Sequence, residues 1–167
     1  MSLVATGKVW KLPDDVNTDL ITPGQYLALP YEEQCEHVLR AIRPQFAHRV
    51  QAGDILVGGK NFGCGSSRES AARVLKLKGI GGIVAESFAR IFFRNCIAIG
   101  LPVLSCPGVS DTFQEGDSAE VDFGSGRVRN IGSGAELTAA PLSPEVIGVI
   151  ERGGIVPMLR EMFTDAG

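Results

Sequence analysis

Short apolar runs separated by turn residues dominate the middle of the chain. They cover residues 54–59, 80–85 and 102–106. Runs of this length between glycine-rich turns are typical of strands that are buried on both faces. A run of alternating apolar and polar residues over 4–10 predicts one further strand near the start of the chain.

Two helices are predicted between the three middle strands. The first begins at Ser66, which forms a capping-box pair with Glu69, and it ends at Gly79. The second is capped by Ser87 and stopped by Gly100. An order of strand, helix, strand, helix, strand implies parallel strands that are joined by right-handed crossovers.

The segment before this unit is less regular. Residues 17–24 are polar and contain turn residues, which predicts a loop. Apolar residues near helical spacing predict a helix from residue 31 to about residue 43. Pro44 interrupts the pattern, so we expect an irregular turn after the helix.

The last third of the chain has a different pattern of apolar and turn residues. Short strands joined by glycine-rich turns are predicted over 118–123, 127–131 and 136–139. Ser143 is placed to cap a final helical stretch that reaches about Phe163, with a break at residues 153–154. The pattern as a whole predicts an α/β fold with a mixed, mainly parallel core, antiparallel C-terminal strands and a single domain over 1–167.

Composition narrows the class of protein. Hydrophobic residues make up 44% of the chain and charged residues 21%, which is typical of a soluble globular protein. No apolar run approaches the roughly 20 residues that span a bilayer, so we expect a cytoplasmic protein without a membrane partner. The net charge of −3 shows no basic stripe, and nucleic acid is therefore an unexpected partner.

The cysteines do not suggest a metal site. They stand at 35, 64, 96 and 106, without the close spacing of structural zinc or iron-sulfur ligands. The sequence predicts four free thiols and no metal bound by this chain. Cys96 and Cys106 lie in apolar stretches and are expected in the core.

The segment with the clearest chemistry is residues 63–69, Gly-Cys-Gly-Ser-Ser-Arg-Glu. Glycines between a strand and a helix let backbone N–H groups approach an anion, and Ser66, Ser67 and Arg68 add side-chain donors. The residues alone leave a second interpretation open, in which Ser66 is only a helix cap and Arg68 an exposed first-turn residue. A Ser-His-Asp hydrolase is not indicated, because the chain lacks a Gly-x-Ser-x-Gly turn.

Three ordered motifs resemble those of the isopropylmalate dehydratase small subunit, a member of the aconitase superfamily. They are Asn-Thr-Asp-Leu-Ile-Thr-Pro at 17–23, the glycine-rich segment at 53–69, and Ala-Glu-Ser-Phe-Ala-Arg-Ile-Phe-Phe-Arg-Asn at 85–95. The resemblance runs from about residue 7 to residue 163. It implies a three-layer β/β/α swivelling domain that closes over a [4Fe-4S] cluster held by cysteines of a separate large subunit.

The resemblance also implies roles for single residues. Ser66 matches the catalytic base, Ser67 and Arg68 match the groups that bind a substrate carboxylate, and Asp19 matches a supporting aspartate. A serine hydroxyl ionises far above neutral pH, so a base of this kind requires stabilisation of its alkoxide by nearby positive charge. Because the cluster ligands would lie on the partner, activity is expected only from the assembled pair.

The segment that matches the specificity loop of this family is mostly apolar. It consists of Tyr26, Leu27, Ala28 and Leu29. Since no arginine precedes Arg40 in this region, we expect a substrate with an apolar side group. The expected reaction is the isomerisation of 2-isopropylmalate to 3-isopropylmalate, a step of leucine biosynthesis.

Several alternatives stay open at this level. The small subunits of homoaconitase, 2,3-dimethylmalate dehydratase and citraconate hydratase would share the motifs. Leu27 and Leu29 could simply pack into the core. A binding module without catalysis could use the same glycine-rich segment to hold an anion, and the isolated chain could self-associate through the face that its partner covers.

Overall fold

Seven strands form one mixed sheet in the computed structural model, which describes residues 3–166. The strands are β1 (Val4–Lys11), β2 (Ile55–Gly58), β3 (Gly82–Ala85), β4 (Val103–Ser105), β5 (Ser118–Asp122), β6 (Arg127–Asn130) and β7 (Glu136–Thr138). Their order in the sheet is β4-β3-β2-β1-β5-β6-β7, parallel from β4 to β1 and antiparallel from β1 to β7. The predicted parallel core and C-terminal antiparallel strands are confirmed.

Strand β1 belongs to both halves of the sheet. Its residues 9–11 pair with β2 in parallel, and its residues 4–8 pair with β5 in antiparallel register. The sheet curls about this shared strand, so that the two halves pack face to face.

Two apolar clusters follow from the alternation of side chains along the parallel strands. Leu56 and Ile83 point to the helices on one side, whereas Ile55 and Val84 point to the antiparallel half on the other, where they meet Val121. The layers are thus helices, parallel sheet and antiparallel sheet. This arrangement confirms the predicted β/β/α fold class.

Eight short helices accompany the sheet between residues 3 and 166. They are α1 (Thr18–Ile21), α2 (Tyr31–Gln34), α3 (Phe46–Arg49), α4 (Ser70–Leu77), α5 (Arg90–Ala98), α6 (Val109–Thr112), α7 (Pro144–Glu151) and α8 (Ile155–Asp165). Ser143 caps α7 as predicted, since its hydroxyl accepts a 3.3 Å hydrogen bond from the Val146 N–H. The predicted break at residues 153–154 separates α7 from α8.

Both predicted helix starts in the middle of the chain are wrong. Helix α4 begins at Ser70, one turn after Ser66, because the Ser66 hydroxyl bonds to Arg68 and the Glu69 carboxylate bonds to Arg73 instead of closing a capping box. Helix α5 likewise begins after Ser87, whose hydroxyl accepts a hydrogen bond from a loop N–H. Tertiary partners therefore displace the local caps.

The helix predicted over 31–43 is also wrong. Helix α2 ends at Gln34, and Val38 is extended while Leu39 takes a positive φ of 57°. The Leu39 N–H donates to the Ile21 carbonyl at 3.0 Å, so a contact to a distant segment replaces the helical bond. In the predicted loop at 17–24, α1 forms because the Asn17 side chain accepts from the Leu20 N–H.

Three of the four cysteines are buried, and Cys64 is partly exposed. Cys96 and Cys106 lie in the core as expected, and burial raises the pKa of both thiols, that of Cys106 to about 11 with a smaller contribution from Glu86. Within residues 3–166, no helix has the length and apolar character required to cross a membrane. Helix α8 buries none of its side chains and leaves Phe163 76% exposed.

Candidate active site

A glycine-rich loop leaves the end of β2 and crosses the first turn of α5. At Gly63 the chain has a φ of 83°, and a Cβ there would lie 2.1 Å from Cγ of Phe92. The Gly63 N–H donates to the Val16 carbonyl at 2.7 Å. The absence of a side chain at Gly63 thus lets the loop lie directly on α5 and reach the segment that precedes α1.

Two segments far apart in the sequence are joined at this loop. The Thr18 N–H donates to the Cys64 carbonyl at 2.8 Å, and the Thr18 hydroxyl accepts from the Ser66 N–H at 3.1 Å. The Thr18 residue is only 2% exposed. Helix α1 and the loop over 63–69 therefore hold each other in place.

Ser66, Arg68 and Asp19 lie together where these segments meet. Arg68 Nε donates to Ser66 Oγ at 2.8 Å, and the Arg68 backbone N–H donates to the same oxygen at 3.3 Å. Arg68 Nη1 donates to the Thr22 carbonyl at 3.2 Å and lies 3.6 Å from Asp19 Oδ1, which accepts from the Gly24 N–H. The guanidinium is thus fixed from two sides, with one edge directed at the serine.

Ser67 is exposed and is held through its backbone. Its carbonyl accepts a 3.3 Å hydrogen bond from Asn95 Nδ2 on α5. Neither Asn95 nor Thr18 was predicted as a site residue, although both fall within the motifs that carry the resemblance. Each acts by a side-chain bond to a distant backbone group, for which the sequence has no local pattern.

The electrostatics of the site differ from those that the predicted helix start implied. Because α4 begins at Ser70, the loop over 66–69 lies before the helix and is not its first turn. The positive charge at Ser66 Oγ comes from the Arg68 guanidinium, which donates a hydrogen bond to this oxygen. The Arg68 side chain is 28% exposed. An oxygen that accepts two N–H groups from a cationic residue is suited to carry negative charge.

A cavity of about 440 Å³ opens beside Arg68. Its lining consists of Leu27, Leu29, Pro30, Tyr31, Gln34, Arg68 and Ser70. Two residues of the predicted specificity loop, Leu27 and Leu29, therefore line a cavity that adjoins the site. Ala28 is exposed, and Tyr26 stacks on His37 with ring centroids 3.7 Å apart.

The described residues offer no metal site. Between residues 3 and 166, no group of three or more histidine, cysteine, aspartate or glutamate side chains is arranged to hold a metal ion. Cys64 lies in the loop, with its carbonyl bonded to the Thr18 N–H, and its thiol is free. The residues from 3 to 166 therefore do not fit an iron-sulfur cluster as ligands.

Comparison with known proteins identifies a family profile and several similar small subunits. The family profile described as the aconitase C-terminal domain matches residues 15–107. A 3-isopropylmalate dehydratase small subunit 1 from Methanopyrus kandleri is 47% identical over 158 residues, which cover 94% of this chain and 93% of the relative. An isopropylmalate/citramalate isomerase small subunit from Methanocaldococcus jannaschii is 42% identical over 167 residues, 99% of each chain. A methanogen homoaconitase small subunit from Methanothermobacter thermautotrophicus is 45% identical over 157 residues, 93% of this chain and 91% of that protein.

A solved structure shows the same fold. The crystal structure of 3-isopropylmalate dehydratase from Methanocaldococcus jannaschii superposes with a TM-score of 0.90 at 33% identity, covering 98% of this chain and 99% of the other. Sequence identity and fold agree over nearly the full length, and the predicted resemblance is confirmed. The chain belongs to the isopropylmalate dehydratase small-subunit family of the aconitase superfamily.

Proposed function

We propose that this chain is the small subunit of a hydro-lyase that converts 2-isopropylmalate to 3-isopropylmalate by dehydration and rehydration. The observation that carries the proposal is the 2.8 Å hydrogen bond from Arg68 Nε to Ser66 Oγ, beside an apolar cavity. It supports Ser66 as a base, because its hydroxyl oxygen lies next to a fixed cation. The family membership supplies the reaction class.

Ser66 is the proposed base. As an alkoxide, Ser66 Oγ would take the proton from substrate C3 while the hydroxyl leaves C2 as hydroxide, which gives an unsaturated acid, a protonated serine and hydroxide. In the second half the serine returns its proton to C2, and hydroxyl adds at C3. The two N–H groups of Arg68 that already point at Oγ would stabilise the alkoxide in both directions.

Arg68 and Ser67 are proposed to hold a substrate carboxylate. The guanidinium is kept in position by the Thr22 carbonyl and by Asp19, so little side-chain freedom is lost when a carboxylate binds. The exposed Ser67 lies next to it and its carbonyl is tied to Asn95, which leaves the hydroxyl available to donate.

A separate large subunit is the proposed partner, and we place the assembled enzyme in the cytoplasm. The [4Fe-4S] cluster that we assign to that subunit would supply a Lewis acid for the hydroxyl that leaves and returns. The role of this chain is to bring Ser66, Ser67 and Arg68 to the substrate from the opposite side.

The apolar part of the cavity favours an alkyl side group on the substrate. Leu27, Leu29 and Pro30 supply this surface next to Arg68. A methyl group is the second candidate, because one relative at 42% identity is named for citramalate as well as isopropylmalate. Both substrates share the carboxylate that Arg68 would bind.

The test is an anaerobic assay of this chain with the iron-sulfur large subunit of the same organism. Formation of the unsaturated acid from 2-isopropylmalate is followed by absorbance, and citramalate is tried in parallel. Ser66→Ala removes the base and should lower kcat by about 10²–10⁴-fold, because general-base catalysis typically contributes that much.

Ser118→Ala is the matched control, since Ser118 is exposed on β5 in the antiparallel half. It should retain wild-type kinetics. Full activity of Ser66→Ala would refute the assigned base, and a wild-type pair that turns over none of these hydroxy-acids would refute the proposed reaction. Activity of this chain without the large subunit would refute the shared site.

A further inference from the structure

We propose that Gln34, at the end of α2, is a specificity-determining residue of the side-group cavity. It holds the loop that forms the cavity wall, and its amide oxygen disfavours a side group that ends in a carboxylate. The inference rests on the proposed function, because it assigns the substrate class of the same site. No sequence motif pointed to this residue.

Gln34 fastens the specificity loop by its amide nitrogen. Gln34 Nε2 donates to the Leu29 carbonyl at 2.8 Å and to the Leu27 carbonyl at 3.5 Å. Because both partners are carbonyl oxygens, the atom that faces them must be the nitrogen. The residue is 5% exposed, so these bonds are shielded from water. Gln34 therefore fixes the positions of the two leucines that line the cavity.

The amide oxygen of Gln34 adds a partial negative charge next to the cavity. Gln34 Oε1 is buried and accepts no hydrogen bond from any side chain or backbone group between residues 3 and 166. Gln34 is itself part of the cavity lining. Because Gln34 lines the cavity, a carboxylate that enters would come near this partial negative charge, while the two amide N–H groups of Gln34, which could bind the carboxylate, are bonded to the loop.

The remaining polar groups of the cavity do not reverse this preference. Ser70 Oγ is also buried without a partner in the described part of the chain and could give one hydrogen bond. The Arg68 guanidinium is directed to Ser66, Thr22 and Asp19 at the edge of the cavity. A carboxylate shared by all substrates can thus bind at Arg68, whereas the group that enters the cavity is expected to be uncharged.

The experiment compares 2-isopropylmalate with citrate, whose side group is carboxymethyl, in the assembled enzyme. The wild-type pair should favour 2-isopropylmalate in kcat/KM by at least about a hundredfold. Gln34→Met keeps the volume but removes the two N–H donors and the oxygen. It should reduce that ratio at least about fivefold and raise KM for 2-isopropylmalate, with little change in kcat because Ser66 and Arg68 are untouched.

Gln45→Met provides the same change at an exposed glutamine outside the cavity lining, and it should leave the ratio unchanged. Hydrogen exchange of the isolated subunit supplies a readout that does not depend on turnover. The peptide over 26–34 should lose protection in Gln34→Met and keep it in Gln45→Met.

The outcomes separate the two proposals. A wild-type pair that is active but handles citrate as well as 2-isopropylmalate overturns the role of Gln34, and this result requires no variant to fold. An unchanged substrate ratio in Gln34→Met, or unchanged exchange over 26–34, overturns it as well. A wild-type pair that is inactive on every substrate overturns the proposed function, and with it the selectivity that rests on it.

Discussion

Gly63→Ala should destabilise the protein through both backbone strain and overpacking. The residue has a φ of 83°, which costs a residue with a Cβ about 1–2 kcal/mol. The new methyl would also lie 2.1 Å from Cγ of Phe92, where carbon atoms normally stay about 3.5–4.0 Å apart. Overpacking of this kind costs about 1–3 kcal/mol, and the sum is about 2–5 kcal/mol.

Gly134→Ala is the matched control. Gly134 has a φ of 77°, yet a Cβ there would meet nothing within 4 Å. It should therefore show the backbone cost alone, about 1–2 kcal/mol. The difference between the two variants isolates the contact with Phe92.

Urea unfolding of the isolated subunit, followed by circular dichroism, measures both changes. The midpoint should fall further for Gly63→Ala than for Gly134→Ala, with similar m-values. In a Phe92→Ala background, which lacks Cγ and Cδ1, Gly63→Ala should cost less than it does in the wild-type protein, because the two positions are in contact and their effects are not additive. Equal midpoints for the two glycine variants would refute the packing argument.

Two further predictions concern groups near the site. In the native protein at pH 8, a chromogenic disulfide reagent should modify Cys64 quickly and the other three cysteines slowly. Those three are buried, and the pKa of Cys106 is raised to about 11. A second cysteine that reacts quickly would contradict the described core. Asn95→Ala removes the bond to the Ser67 carbonyl and should lower kcat/KM about three- to tenfold with little change in Tm. Wild-type kinetics in Asn95→Ala would show that the loop does not depend on this bond.

The strands could be predicted because each one is marked by a pattern of apolar and turn residues within a few positions of the sequence. The apolar runs over 54–59 and 80–85 are too short and too continuous for amphipathic helices, and the structure places β2 and β3 within them. The turn residues of the last third likewise mark β5, β6 and β7. In each case the pattern of side chains along a few residues is enough to define the element.

The helical segments were predicted less well because distant partners decide them. The apolar spacing before Pro44 suggested one long helix, but Leu39 bonds to Ile21 and takes a positive φ. The sequence around Ser66 predicts a helix cap. In the structure, however, its N–H donates to the Thr18 hydroxyl and its own hydroxyl accepts from Arg68. A local pattern cannot show which of two available partners a polar group will choose.

The candidate site shows the same limit. The resemblance named Ser66, Arg68 and Asp19, and the structure brings them together. Thr18 and Gln34 were not singled out, because each acts through a bond to a backbone group that no spacing rule predicts. Their roles follow only from three-dimensional contacts.

The position of β1 has a consequence for incomplete chains. This strand comes first in the sequence but lies in the middle of the sheet, and its antiparallel partner β5 begins only at Ser118. Any product that ends before β5 retains the parallel strands but leaves one edge of β1 unpaired and the apolar face around Ile55 and Val84 uncovered. Such fragments would have both an unpaired strand edge and an exposed apolar surface. Premature termination therefore yields an aggregation-prone polypeptide and not a smaller functional subunit.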